Sequence, residues 1–232
     1  MIQAVVLDCL IFALNVKGRL ADFRLLVGKH KMCMNAPRIV TFYTTGPYAD
    51  EAEGLKASAS ALGLSVDARL MTPFASWQDA VCWKPSFILD RLCELEIGEG
   101  LLWVDADARF RQVPDWSILE GADYGFCKFQ WTKGHPIESL TGCLYFRQLM
   151  KVHNFLADWI VATAHWQGVN RDTPEQKALL GTHNDAPRLG RKLRFRELPK
   201  TWLWIVPEFF NMYPNEKPVI AHYQASRKWR TA

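Results

Sequence analysis

The sequence contains no Cys-x-x-Cys pair: its six cysteines, Cys9, Cys33, Cys82, Cys93, Cys127 and Cys143, are scattered, most of them inside apolar runs. That argues against a disulfide framework or a paired-cysteine metal site, and suits small buried hydrophobes in a reducing, cytoplasmic setting. A spanning segment is also missing. The apolar start "MIQAVVLDCLIFALNV" is interrupted by Asp8, has no basic residues ahead of it and is too short to cross a bilayer, so neither a signal peptide nor stable membrane insertion is expected. Residues 1–35 read as an apolar leader or packing helix, and 36–232 as a single domain. There is no internal repeat, low-complexity tract or linker, and nothing marks an oligomeric state. No glycine-rich phosphate loop follows the first strand, since "TTGPYADEAEG" offers no such run. This weakens a sugar nucleotidyltransferase reading.

Positive and negative residues nearly balance, with a formal net of +4, but that small excess is unevenly placed. Arg188–Ala232 carries ten Lys or Arg against Glu197, Glu208 and Glu216, a net of +7, which leaves the first 187 residues at 18 minus 21, or −3. A basic carboxyl-terminal end suits a phosphate-bearing or polyanionic ligand, and equally a solvated face. The ten Trp and thirteen Phe serve as core or as platforms for flat ligands, and composition does not separate those uses.

The elements alternate. "RIVTFYTT" (38–45) predicts an inner strand broken by Gly46-Pro47, 48–62 a helix with acidic residues in its first turn and Gly63 at its end, and "LSVDARLM" a second strand. A strand-helix-strand opening implies a parallel pair and an α/β fold. Pro85 is placed as the first residue of a helix "PSFILDRLCELE" after a loop at 72–83. Strands follow at 101–104, 123–129 and 142–147, then a helix at 149–165. Thr173, Pro174 and Gln176 have capping-box spacing, which gives Gln176 a structural role. Short strands near 193–198 and 218–223 are expected to complete the sheet.

The chemistry concentrates in "LLWVDADARF", where an apolar strand runs into Asp105 and Asp107. Side chains alternate along extended backbone, so two carboxylates one residue apart converge on one point outside the carboxyl edge of the sheet. A hard divalent cation, Mg²⁺ or Mn²⁺, would satisfy them. Far downstream, "VIAHYQASRKWR" places His222 after a short apolar strand, with Lys228 and Trp229 beyond it.

Together these motifs resemble the GT-A glycosyltransferases of the family 8 and glycogenin type, which pair Asp-x-Asp with a carboxyl-terminal His-x-x-Gly-x-x-Lys-Pro-Trp. Here His222, Lys228 and Trp229 match in order, Ala225 stands in place of the glycine and the proline is absent. The resemblance implies a GT-A (Rossmann-like) fold with a central mixed, mostly parallel sheet flanked by helices. It implies a UDP-sugar donor, with Asp105, Asp107 and His222 binding Mn²⁺ and Lys228 contacting the diphosphate, aided by Arg227 and Arg230. Asp107, Lys228 and Gln176 become the catalytic candidates, with no obvious general base and with retention of anomeric configuration. Thr44, Thr45 and Tyr48 would hold the nucleotide base, and Lys84 the donor ribose and phosphate, unless it is a solvated loop lysine. "TGCLYFR" places Thr141 and Gly142, and "PEQKALL" places Glu175 and Gln176, beside the sugar or acceptor. The acceptor could be a hydroxylated base in phage-type DNA, met by the basic aromatic end with Trp202, Trp204 and Trp229; a saccharide, lipopolysaccharide or protein hydroxyl is the alternative, and a non-catalytic nucleic-acid-binding module a further one.

Overall fold

The chain divides into a unit over residues 1–33 and another over 34–232. The computed structural model describes residues 36–169 and 173–225, all in the second unit; the leader expected at 1–35 and the basic tail from Ser226 onward lie outside the described residues.

A six-stranded sheet organises this unit in the order β2-β1-β3-β6-β5-β7. Its strands are β1 (Arg38–Tyr43), β2 (Val66–Leu70), β3 (Gly100–Val104), β5 (Tyr124–Phe129), β6 (Glu138–Arg147) and β7 (Phe195–Glu197). β1 pairs in parallel with β2 and β3, β5 pairs in parallel with β7, and β6 alone runs against its neighbours. The expected mixed, mostly parallel sheet is therefore present.

Helices α1 (Pro47–Ser60), α2 (Trp77–Cys93), α3 (Met150–Val169) and α4 (Pro174–Asp185) flank it, with a short α5 (Glu208–Met212) near the end. Leu101 to Val104 are all buried because β3 is covered on both faces, which is why the strand reads as an unbroken apolar run. Leu102 and Val104 join Leu55 and Ala59 of α1 in one core. On the other face Trp103 meets Phe42 and Phe87, at 5.2 and 5.7 Å between ring centroids. Among the described residues no helix is long and apolar enough to cross a membrane.

Three expectations are corrected. Pro85 does not start its helix: α2 begins at Ser76, whose Oγ accepts the Asp79 N–H at 3.1 Å, and Pro85 lies inside with Lys84 and Ser86 buried around it. Packing of that helix face outweighs the backbone hydrogen bond that an internal proline forgoes. The capping box at Thr173 is not made either. Its side chain forms no cap bond, and the start of that helix is tied to the sheet by Ser139 Oγ of β6, which donates to the Gln176 carbonyl. Finally, the segment near 218–223 does not complete the main sheet. β9 (Ile220–His222) joins β4 (Ala108–Phe110) and β8 (Trp204–Ile205) in a separate sheet of order β4-β9-β8.

Candidate functional site

That small sheet assembles the site. β4 and β9 pair antiparallel with Ala108 opposite His222, and β8 sets Ile205 beside the same histidine. His222 is thereby delivered next to the turn that follows β3, and ligand atoms of Asp105, Asp107 and His222 all lie within 4.8 Å of one another. The turn is locked by its backbone: Asp105 N–H donates to the Gly142 carbonyl at 2.9 Å, and Tyr223 N–H to the Asp107 carbonyl at 3.2 Å.

Each acid is held through one oxygen. Asp105 Oδ1 accepts from Trp103 Nε1 at 2.9 Å and faces Lys84 Nζ at 3.0 Å, while Asp107 Oδ2 accepts the Ala225 N–H at 2.7 Å. Buried His222 keeps Nε2 without a hydrogen-bond partner among the described residues. Burial pushes this imidazole down to about 4, against the opposing pull of Asp105 and of a backbone hydrogen bond with Trp202. It is neutral at pH 7, as a metal ligand must be. Burial and the neighbouring Asp105 push Asp107 up to about 6, and the Ala225 N–H and Lys84 pull it back. Two crowded carboxylates and an orphaned, neutral imidazole nitrogen are a donor set that fits Mn²⁺ or Mg²⁺.

Gly142 makes the convergence possible. A Cβ there would stand 3.0 Å from His222 Nδ1 and 3.2 Å from Asp105 Oδ2, so any side chain would intrude on the cluster. Lys84 is not a solvated loop lysine. It projects from α2, is 4 % exposed, and donates to Thr141 O and Oγ1 at 3.2 Å each besides facing Asp105. Thr141 Oγ1 in turn donates to Glu175 Oε1 at 3.1 Å, and burial raises the Glu175 carboxyl although Lys84 and Thr141 favour its charged form. Glu175 Oε2 is buried and unpartnered among the described residues.

These groups border one cavity of about 690 Å³. Thr44, Tyr48, Lys84, Thr141, Gly142, Glu175 and Gln176 all reach it, together with the two aspartates and His222. Thr45 is exposed and does not line it. Trp204 does not belong to it either: fully buried, it packs against Phe209, Phe210 and Tyr213 at 5.6, 5.5 and 6.0 Å. Trp202 is likewise buried. Both rings are core, because apolar area of that size is worth more inside than as a surface platform. Lys228, Arg227, Arg230 and Trp229 lie outside the described residues.

Sequence reasoning missed the cavity's aromatic wall, Phe74, Trp77 and Trp131, and the anchoring of Asp105 by Trp103. The latter was readable from the period of two along β3, which puts residues 103 and 105 on one side.

No family model and no curated protein matches the chain. Among solved structures, a glycosyltransferase involved in the glycosylation of the major capsid of PBCV-1 is similar, with a TM-score of 0.55 at 14% identity over 84% of this chain and 98% of its own. The glycosyltransferase GlyE of Streptococcus pneumoniae TIGR4 is similar in its apo form, with a TM-score of 0.53 at 14% identity over 82% of this chain, and in a second structure, with 0.52 at 12% over 85%. The match covers 55% and 57% of those GlyE chains. These likenesses show the fold, an α/β sheet flanked by helices of the kind these glycosyltransferases use.

Proposed function

We propose that this chain is a metal-dependent glycosyltransferase, of the GT-A plan that the family 8 and glycogenin resemblance implies, moving a sugar from a UDP-sugar to an acceptor hydroxyl. The observation that carries the reading is the grouping of Asp105, Asp107 and His222 within 4.8 Å at the edge of a cavity large enough for a nucleotide-sugar. These three residues would hold a divalent ion, which when bound would supply positive charge to a departing diphosphate.

The chain's own groups complete the assignment. Thr44, just after β1, and Tyr48, in the first turn of α1, line the cavity and are the groups we assign to the nucleotide base. Lys84 places a buried ammonium beside Asp105, where it lowers the cost of two adjacent carboxylates and faces the donor phosphates. Thr141, Gly142, Glu175 and Gln176 border the sugar, with the unpartnered Glu175 Oε2 available to accept from a sugar hydroxyl. Lys228 is assigned the diphosphate through the motif resemblance alone. Retention of anomeric configuration is assigned on the same ground, and an NMR spectrum of the product reads it directly.

A hydroxylated base in DNA gains less from the carboxyl-terminal charge than the sequence suggested. Trp202 and Trp204 are buried, while Arg191, Arg194 and Lys200 are paired with Asp158, Asp123 and Glu216. A saccharide hydroxyl is the acceptor we favour.

A screen of UDP-sugars with Mn²⁺, reading UDP release, tests the function. One donor should be hydrolysed slowly, and chelation or Asp105→Ala with Asp107→Ala should stop it. Release from no donor, or release indifferent to chelator, would refute the proposal.

A further inference from the structure

We propose that Trp131 and Glu138 form a subsite for the acceptor and that this acceptor is an uncharged saccharide; the assignment to an acceptor rests on the glycosyltransferase reading above.

The strand order lays the cavity out in sequence. The segments that follow β1 and β3 carry the base groups and the two aspartates, β6 lies next to β3, and β5 lies beyond it. At neighbour spacings of about 4.8 Å, β5 stands roughly 14 Å from β1 along the sheet, far enough for a nucleotide to occupy the first part and leave the second open. Trp131 follows the end of β5 and Glu138 opens β6, so both sit at the open end.

Their geometry is that of a built platform. Phe129 and Phe209 lie steeply inclined to the Trp131 ring, at 83° and 66°, with centroids 4.9 and 6.0 Å away, and its Nε1 donates to Glu138 Oε2 at 3.0 Å. The ring is thus held by two neighbouring rings and by its own N–H, and it still lines the cavity, partly exposed. A sugar offers a face of C–H groups that stacks on an indole and a rim of hydroxyls that a carboxylate accepts from. Glu138 Oε1 meets no donor among the described residues and is available for that role. Leu140, Leu203 and Ile205 add apolar lining beside the pair. At this end the charged lining residue, among the described residues, is the carboxylate Glu138, with no lysine or arginine of the lining beside it to attract a polyanion.

Saturation-transfer NMR with methyl glycosides of glucose, galactose, mannose and N-acetylglucosamine, in the presence of Mn²⁺ and UDP, reads binding without requiring turnover; a duplex carrying hydroxymethylcytosine is the competing probe. At least one glycoside should bind the full chain, Trp131→Ala should weaken it about tenfold or more, Trp131→Phe should recover most of the loss by keeping a stacking face, and Glu138→Gln should weaken it a few-fold. No glycoside binding, equal binding by Trp131→Ala in a sample that Trp131→Phe shows to be folded, or saturation by the duplex alone would overturn the subsite. UDP release in parallel samples separates the two readings. Trp131-dependent glycoside binding with no UDP-sugar turnover would support a saccharide site and remove the transferase, whereas turnover without Trp131-dependent binding would do the reverse.

Discussion

Adding Mn²⁺ should raise the melting temperature, and the size of the rise should depend on pH in a way Asp107 dictates. A ligand at 100 times its dissociation constant stabilises the folded state by about 2.7 kcal/mol, and in a chain of this size each kcal/mol is worth about 2–4 °C, so a shift of roughly 5–11 °C is expected at pH 7. The metal competes with a proton for Asp107, whose carboxyl is pushed up to about 6, while His222, pushed down to about 4, stays neutral throughout. At pH 7 roughly one Asp107 in ten is protonated and at pH 5 roughly ten in eleven, so apparent affinity should fall about tenfold, or about 1.4 kcal/mol. At fixed Mn²⁺ that removes about 3–5 °C of the shift. Differential scanning fluorimetry at the two pH values, with Asp107→Asn and His222→Ala as controls, checks it. A shift of undiminished size in Asp107→Asn, or none in the unmutated chain at millimolar Mn²⁺, would refute the reasoning.

Gly142→Ala should cost Mn²⁺ affinity at least about tenfold while altering stability in urea by less than about 2 kcal/mol, because the new methyl meets the imidazole and carboxylate at 3.0 and 3.2 Å rather than the core. Lys84→Met should bind Mn²⁺ more tightly, a cation having left the neighbourhood of Asp105, yet bind UDP more weakly; titration calorimetry with each ligand separates the effects. Stability should fall on acidification from pH 6.5. Unfolded histidines take up a proton near 6.5 whereas folded His183, pushed down to about 4 by burial and Lys128, and His222 do not, so each loses about 1.4 kcal/mol per pH unit in that window. His153, also pushed down by burial, adds to this fall, while Asp107 works in the opposite sense below pH 6, since its folded carboxyl binds a proton before the unfolded one, as do the carboxyls of Asp90 and Glu175 that burial raises; His183→Gln should flatten urea melts taken from pH 6 to 5. Trp204→Phe should lower stability by about 1–2 kcal/mol without changing donor hydrolysis, since that ring is core and not cavity.

The aspartate turn was legible because two features coincide in ten residues: an apolar run that only a doubly covered strand explains, and carboxylates that resist burial directly after it. His222 was reached by motif resemblance, since nothing in its local pattern reveals a partner. The pairing that brings it in is three residues long on each side, too short for periodicity to register. Pro85 misled because a proline more often begins a helix than sits within one, and the earlier Ser-x-x-Asp start at Ser76 and Asp79 carried the better signal. The Thr173 spacing matched a capping box, but the residue sits at φ −144°, ψ 62° and its side chain makes no cap bond, a backbone detail the spacing does not encode. Trp204 shows the limit of composition. A tryptophan in a basic segment looks like a contact surface until Phe209, Phe210 and Tyr213 are placed around it.

Asp107 and Ala225, joined by a 2.7 Å hydrogen bond, are 118 positions apart in the chain. A ribosome therefore releases both acids long before it makes the strand that carries their imidazole partner. Until β9 docks on β4, the nascent protein has a sheet and a pair of acids but not the histidine beside them, so the cluster closes only after every strand of the main sheet has been made.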